Sequence, residues 1–506
     1  PKMRRFVSWD LDGLPEKKKD IRRRIASVLF LAITSTVITY DSIAIEGLIP
    51  LLQVYFNITD STMAIIRTCS SISSAIALIL LWMFGDRLPR KHLMTFSLAF
   101  WLFCNIISLF STPSAYWLFL TTRTLSAAAS TTFLVLNPVI ISDLFKEDAL
   151  GKALMINSLA AYLGSEISNS ITSWFVTSTL PWQSGLIPGP VLVLVLLILL
   201  IVILPAKRHH AKLIKGDYIA DAKQLLKIKC FFLIALGSSF AAFYVRSFLF
   251  WLPSMFLDAW NSAPTVYLGL QYAGAMTINS IIELLGTLIG LPLIMWLAEC
   301  WQYGTGPFRN KAFSRALPTV VFGICCSTLI LSAAQLICMD QSYPILLLIT
   351  FFSSFLGSSM LSLVTQMTLN ISPPKQKAGS CALAQLIVGV ITAPSAQLVG
   401  LLSDIFRGGS EEYVDKFNGF RTSFYILLVV LLLSAIIFIF VISAYPVDCL
   451  RAAIMLEDED EEMSDNFERL PEESRPLTGR TRDRTDTVIE RTFMSRRSTM
   501  DFMMVI

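Results

Sequence analysis

Residues Met63–Phe110 read MAIIRTCSSISSAIALILLWMFGDRLPRKHLMTFSLAFWLFCNIISLF. Two apolar runs flank a short charged connector, Gly85–Lys91. Each run is close to the roughly 20 residues a helix needs to cross a bilayer core. Inside lipid, the backbone N–H and C=O groups of such a run have no partners except each other, so each run must be helical.

The same unit of apolar run and short connector repeats along the chain. Twelve runs qualify: Ile25–Leu51, Met63–Phe84, His92–Phe110, Tyr116–Leu144, Gly151–Val176, Ile187–Leu204, Phe231–Leu257, Tyr267–Leu297, Leu317–Cys338, Tyr343–Ile371, Ser380–Leu402 and Phe420–Tyr445. The first is too long for a signal peptide, and no small-residue cleavage site follows it. The pattern predicts an all-α membrane protein with twelve transmembrane helices in two six-helix halves.

Composition agrees. Of 506 residues, 54% are hydrophobic and 15% charged, where soluble proteins carry about 25% charge. That excludes a soluble enzyme, a disordered scaffold and a collagen-like chain. A net charge of +4 gives no electrostatic footprint for nucleic acid. Nine cysteines occur without a CxxC or a metal-ligand spacing, and all three histidines (His92, His209 and His210) sit at or beyond run ends. No metal, cofactor or enzymatic centre is expected.

Lysine and arginine set the orientation. The segment before the first run carries nine of them. Arg87, Arg90 and Lys91 lie in the 2–3 connector, Lys146 and Lys152 in 4–5, Arg309, Lys311 and Arg315 in 8–9, and Lys375 and Lys377 in 10–11. On the opposite face only connector 11–12 carries any, with Arg407, Lys416 and Arg421. Both termini are therefore expected in the cytoplasm. The chain divides into a basic N-terminal segment (1–24), a first six-helix half (25–205), a basic cytoplasmic linker (206–230), a second half (231–446) and a cytoplasmic tail (447–506). The acidic run Glu457–Glu462 and the Arg/Ser/Thr-rich stretch after it predict a disordered tail. The last residues, Met504-Val505-Ile506, are either a strand for a PDZ-type partner or an incidental apolar end.

A charge at the bilayer centre costs about 2.5–3.5 kcal/mol on insertion scales, so interior charges are candidates for function. Seven remain once helix ends are removed: Asp41 and Glu46 in run 1, Arg67 in run 2, Arg123 in run 4, Glu166 in run 5, Arg246 in run 7 and Glu283 in run 8. Runs 3, 6, 9 and 12 have none and are expected to face lipid. At about 1.5 Å per residue, Asp41 and Arg123 fall at similar depth and can pair. Glu46 and Arg67 can pair as a structural contact. Glu283 has no obvious partner. Asp41, Arg123, Glu166, Arg246 and Glu283 are the candidates for a substrate or proton pathway.

The connector Gly85-Asp86-Arg87-Leu88-Pro89-Arg90-Lys91 resembles the G-D-R-x-x-R-K loop of the major facilitator superfamily and sits, as there, between the second and third of twelve helices. The resemblance makes Gly85, Asp86, Arg87, Arg90 and Lys91 a gating loop. Tyr40-Asp41 through Gly47 is similar to the helix-1 stretch of spinster-type lipid transporters. Arg123 with Leu125, Pro138 with Asp143-Leu144-Phe145, Gly164-Ser165, Trp251-Leu252-Pro253 and Gly400 to Asp404 fit further stretches of that family. There are departures. Ser42 stands where the family has an arginine, Ser130 where it has a glutamate and Thr392 where it has an acidic residue, while Glu46 and Glu166 replace an alanine and a glycine.

The resemblance implies alternating-access transport of a lysophospholipid or sphingolipid phosphate, with proton coupling, and a lysosomal or late-endosomal membrane. Two other readings stay open: a proton-coupled transporter of a small polar organic solute, and a transport-inactive scaffold or receptor using its tail.

Overall fold

The computed structural model describes residues 18–468, except 59, 86–87, 146–149, 179, 204–224, 310–311, 373–376, 409 and 411. Twelve long helical segments follow one another in the order the runs predict. They are α1 (Lys18–Gly47), α2 (Asp60–Phe84), α3 (Arg90–Leu109), α4 (Tyr116–Leu144), α5 (Leu150–Thr177) and α6 (Gln183–Leu186 continued by Pro188–Ile203). The second set is α7 (Lys229–Ser262), α8 (Tyr272–Tyr303), α9 (Ala316–Cys338), α10 (Tyr343–Gly357 and Met360–Ile371), α11 (Lys377–Thr392 and Ser395–Arg407) and α12 (Tyr413–Glu468).

The breaks have local causes. The first run splits because Pro50 cannot continue α1; a separate short helix, Ile49–Phe56, begins there. That helix stops at Asn57, which takes a left-handed φ of 53°, a conformation asparagine tolerates. In α11 the break falls at Pro394, which caps the second segment.

The twelve helices stand as expected, and one expectation, about the tail, needs correction. Among the described residues, eleven helices meet a plain measure of length and apolarity for crossing a membrane, and α5 falls short of it on apolarity alone. Its length suffices, but Ser165, Glu166, Ser168, Asn169, Thr172 and Ser173 dilute its apolarity. All six are buried, because α5 packs along α1 on one side and α8 on the other. The correction concerns the tail: α12 does not end at Tyr445 but runs on to Glu468. Residues 447–468, expected to be disordered, are helical; Leu450, Ala452, Ala453, Met455 and Leu456 there are good helix formers. The described residues from Ala453 to Glu468 belong to a unit separate from the helical bundle.

In the first half, α1 lies against α5 and α6, and α4 against α2 and α3. In the second half, α10 lies against α8 and α9, and α7 against α11. The seam between halves is formed by α5 on α8 and by α2 on α11. Below, the face that carries the lysine- and arginine-rich connectors is called the basic face. Toward the opposite face, one apolar core joins both halves through Leu48, Leu52, Phe56, Phe119, Tyr244, Trp251, Phe256 and Phe424. Toward the basic face there are two cores. One is mainly of the first half, around Leu31, Phe133 and Leu136, and one mainly of the second, around Phe231, Leu291 and Phe438.

Close backbone approach locks α1 to α5. Thr36 donates to the Ala160 carbonyl (2.8 Å) and Ser168 to the Tyr40 carbonyl (2.9 Å). A Cβ on Gly164 would stand 2.2 Å from the Thr36 carbonyl oxygen, so only glycine fits without moving backbone. Asn137 of α4 ties the same region, donating to Ser35 of α1 and Asn157 of α5, both at 2.7 Å. Gly164→Ala should therefore destabilise the protein by about 1–3 kcal/mol, seen as a lower melting temperature in detergent. Gly274→Ala, where a Cβ meets no atom within 4 Å, should leave the melting temperature unchanged or slightly higher.

Candidate functional site

The seven interior charges fall into three groups. The first is Asp41 and Arg123, which the structure joins. Arg123 Nη1 donates to Asp41 Oδ2 at 2.8 Å. Both residues are only 2% exposed. The pair sits inside the first half rather than at the seam, because two helices expected only to face lipid help to enclose it. From α3, Asn105 accepts a second hydrogen bond from Arg123 Nη1 and donates to the Trp101 carbonyl (2.9 Å) and to Ser126 (2.8 Å). From α6, Gly189 lies so close that a Cβ would be 3.3 Å from Asp41 Oδ1. The Phe119 ring lies 5.6 Å from the Arg123 guanidinium carbon. A pair this enclosed joins α1, α3, α4 and α6. Asn105 was not among the sequence candidates; an uncharged amide inside an apolar run is a weaker signal than a charge, yet it was there to be read.

The second group spans the seam. Arg67 of α2 donates to Glu46 of α1 at 2.7 Å. Arg246 of α7 comes within electrostatic reach of both. Arg246 makes no ion pair closer than 4 Å among the described residues, and its Nη1 donates to Thr392 of α11 at 3.3 Å. Two guanidiniums thus share one carboxylate, leaving an excess positive charge. Close by, Thr68 of α2 donates to Gln397 of α11 at 3.2 Å. This contact also crosses between the halves, in the part of the seam nearer the face opposite the basic one.

The third group is Glu166 of α5 and Glu283 of α8. Glu166 is buried and Glu283 half-buried. They interact electrostatically across the seam, and Tyr162 of α5 interacts with both.

On the basic face, Gly85 packs at the start of α11, where a Cβ would lie 3.4 Å from that of Ala378. Arg90 pairs with Asp143 at the end of α4. That contact links the 2–3 connector to the D-L-F end of α4. Asp86 and Arg87 lie outside the described residues, as do His209, His210 and the C-terminal Met504-Val505-Ile506. Lys91 opens α3 beside Arg90. Among the described residues, no three His, Cys, Asp or Glu side chains converge as metal ligands.

These features are those of a membrane transporter built from two helical halves with a charged seam. The chain belongs to the major facilitator superfamily, whose family model matches residues 31–298, just over half of it. Within that superfamily it is spinster-like. It is 25% identical over 408 residues to Protein spinster homolog 1 of Xenopus laevis, covering 77% of this chain and 74% of that protein. It is 24% identical over 411 residues to the sphingosine-1-phosphate transporter SPNS2 of Xenopus tropicalis, covering 78% and 76%. Its fold superposes with a TM-score of 0.60 on a bacterial homolog of the human lysosomal transporter Spinster in an inward-facing, unoccupied conformation. That match has 14% identity and covers 84% of this chain and 98% of the other.

Removing one member of the enclosed pair leaves the other charge buried and alone, at about 3–5 kcal/mol. Asp41→Asn and Arg123→Ala should each lower the melting temperature and the yield of monodisperse protein. Replacing both together (Asp41→Leu with Arg123→Met) should recover much of that loss. Equal loss in the double variant would show that the pair does more than cancel charge.

Proposed function

We propose that this protein carries a lysophospholipid or sphingolipid phosphate across its membrane by alternating access between the two six-helix halves. The observation that carries the reading is the excess positive charge at Arg246, Arg67 and Glu46. An anionic headgroup needs a cation that is not already neutralised and that stands between the halves. Arg123 does not meet this condition, since Asp41 and Asn105 occupy its Nη1 inside the first half. Arg246 does, because among the described residues only Thr392 engages it directly. A phosphate there gains charge-assisted hydrogen bonds from planar guanidinium donors, and Arg67 can turn from Glu46 to join it. Phe243 and Tyr244 on the same helix, α7, border the apolar core that continues across both halves, which offers a surface for an acyl chain.

The division of the apolar core supports the rocking motion. One shared core near the face opposite the basic one acts as a closed contact, while separate cores toward the basic face let the halves part there. The similarity to the sphingosine-1-phosphate transporter and to the spinster homologs supports the substrate class. The lysine and arginine distribution supports a cytoplasmic basic face with both termini on that side. The spinster likeness supports a lysosomal or late-endosomal membrane.

Efflux of radiolabelled lysolipid from vesicles containing the purified full-length protein tests the reading. Wild type should release it. Arg246→Ala should reduce release about tenfold or more, the loss of a hydrogen bond to a charged group worth about 1.5–3 kcal/mol. Arg421→Ala, which removes a contact to Asp340 outside the seam (2.9 Å), should retain release. No release by wild type, or full release by Arg246→Ala, would overturn the proposal.

A further inference from the structure

A groove lies among α8, α9 and α10, and all of its lining residues belong to the second half. It holds about 370 Å³ and is walled by Leu297 and Trp301 of α8, Val320 of α9, Leu356 of α10 and the Phe308 ring. Its floor is open at Gly323 of α9. That glycine is exposed, and a Cβ there would meet no atom within 4 Å. The rest of the lining is apolar or aromatic apart from the Ser327 hydroxyl.

The 8–9 connector closes the end of the groove at the basic face. The chain turns back at Gly304 and Gly306, with φ of 64° and 54°, a left-handed range that glycine adopts without strain. The turn lays Phe308 and Phe313 on the Trp301 indole, with ring centres 5.6 and 5.1 Å away. The Phe313 amide donates to the Trp301 carbonyl at 3.0 Å. This stack places the backbone of Arg309, next to Phe308, and of Arg315, at the head of α9, beside the end of the groove. Both arginines are exposed, and neither guanidinium makes a hydrogen bond or ion pair among the described residues. Residues 304–315 include no Asp or Glu, and α9 and α10 carry none either. The nearest acid in sequence, Glu299 of α8, is turned to α5, where its Oε1 occupies the space of a Cβ on Gly151.

An apolar groove that ends at aromatic rings and uncompensated arginines is complementary to an acyl chain joined to an anionic headgroup. Aromatic rings gather at the membrane–water interface. Basic pockets between membrane helices take anionic lipid headgroups, and a guanidinium meets a phosphate with paired hydrogen bonds. We propose that this groove is a binding site for an anionic phospholipid of the leaflet at the basic face. One acyl chain lies along Val320 and Gly323, and Arg309 and Arg315 hold the phosphate. A zwitterionic headgroup brings its own ammonium group and gains less from them. The site is separate from the seam, and its occupation does not depend on the transport reading.

Native mass spectrometry of the full-length protein, released from micelles doped with phosphatidylserine or with phosphatidylcholine, tests this. Wild type should retain phosphatidylserine more strongly than phosphatidylcholine. Arg309→Ala with Arg315→Ala should weaken phosphatidylserine binding about tenfold or more and leave phosphatidylcholine binding unchanged. Both arginines are exposed, so this variant should melt as wild type does. Gly323→Leu fills the open floor with a better helix former; it should lose the lipid with no fall in melting temperature. Equal retention of the two lipids by wild type would overturn the proposal. So would unchanged phosphatidylserine retention in the arginine variant, or in Gly323→Leu, which would place the lipid elsewhere. A dimer that Gly323→Leu dissociates would also overturn it, since a second copy of the chain would then cover the groove.

Discussion

The cost of an uncompensated charge in a low-dielectric interior organises this protein. A carboxylate or guanidinium buried among apolar side chains loses its hydration and is costly unless a partner compensates it. The three groups of charges show three outcomes of that one constraint. Asp41 and Arg123 cancel completely and are sealed within the first half. Glu46 cancels one of two arginines and leaves an excess at the seam. Glu166 and Glu283 have no arginine paired with them among the described residues. The seam is where compensation is incomplete, and it is also where the two halves must move past each other.

The departures from the spinster pattern follow the same logic. Glu46 stands where the family has an alanine, and it holds Arg67. Thr392 stands where the family has an acidic residue, and it receives only a hydrogen bond from Arg246. A carboxylate at Thr392 would neutralise Arg246; a hydroxyl leaves its charge available. Glu166 replaces a glycine on α5, and its carboxyl faces Ser280 and Glu283 of the other half.

Much of this was legible in the sequence, and the reasons differ by element. The order of helices followed from apolar length, because lipid leaves the backbone no alternative. The partners Asp41–Arg123 and Glu46–Arg67 followed from depth, because rise per residue converts sequence position into height. The fifth helix followed too, but its run length did not reveal that both of its flanks are covered by protein, which is what lets it carry so many polar residues. The extent of α12 was missed because apolarity ends at Tyr445 while helix-forming residues continue. Asn105 escaped because an amide raises no charge alarm. The approach of Arg246 to Glu46, and of Glu283 to Glu166, depends on how one half is registered against the other. No local pattern encodes that register.

The central claim is that the seam between α2 and α11, beside the charged cluster, must open for cargo to pass. Cross-linking Thr68→Cys to Gln397→Cys, in a background lacking the nine native cysteines, measures it most directly, because the native side chains touch at 3.2 Å. The oxidised, cross-linked protein should release no lysolipid, and reduction should restore release. Equal release from the cross-linked and reduced protein would contradict it.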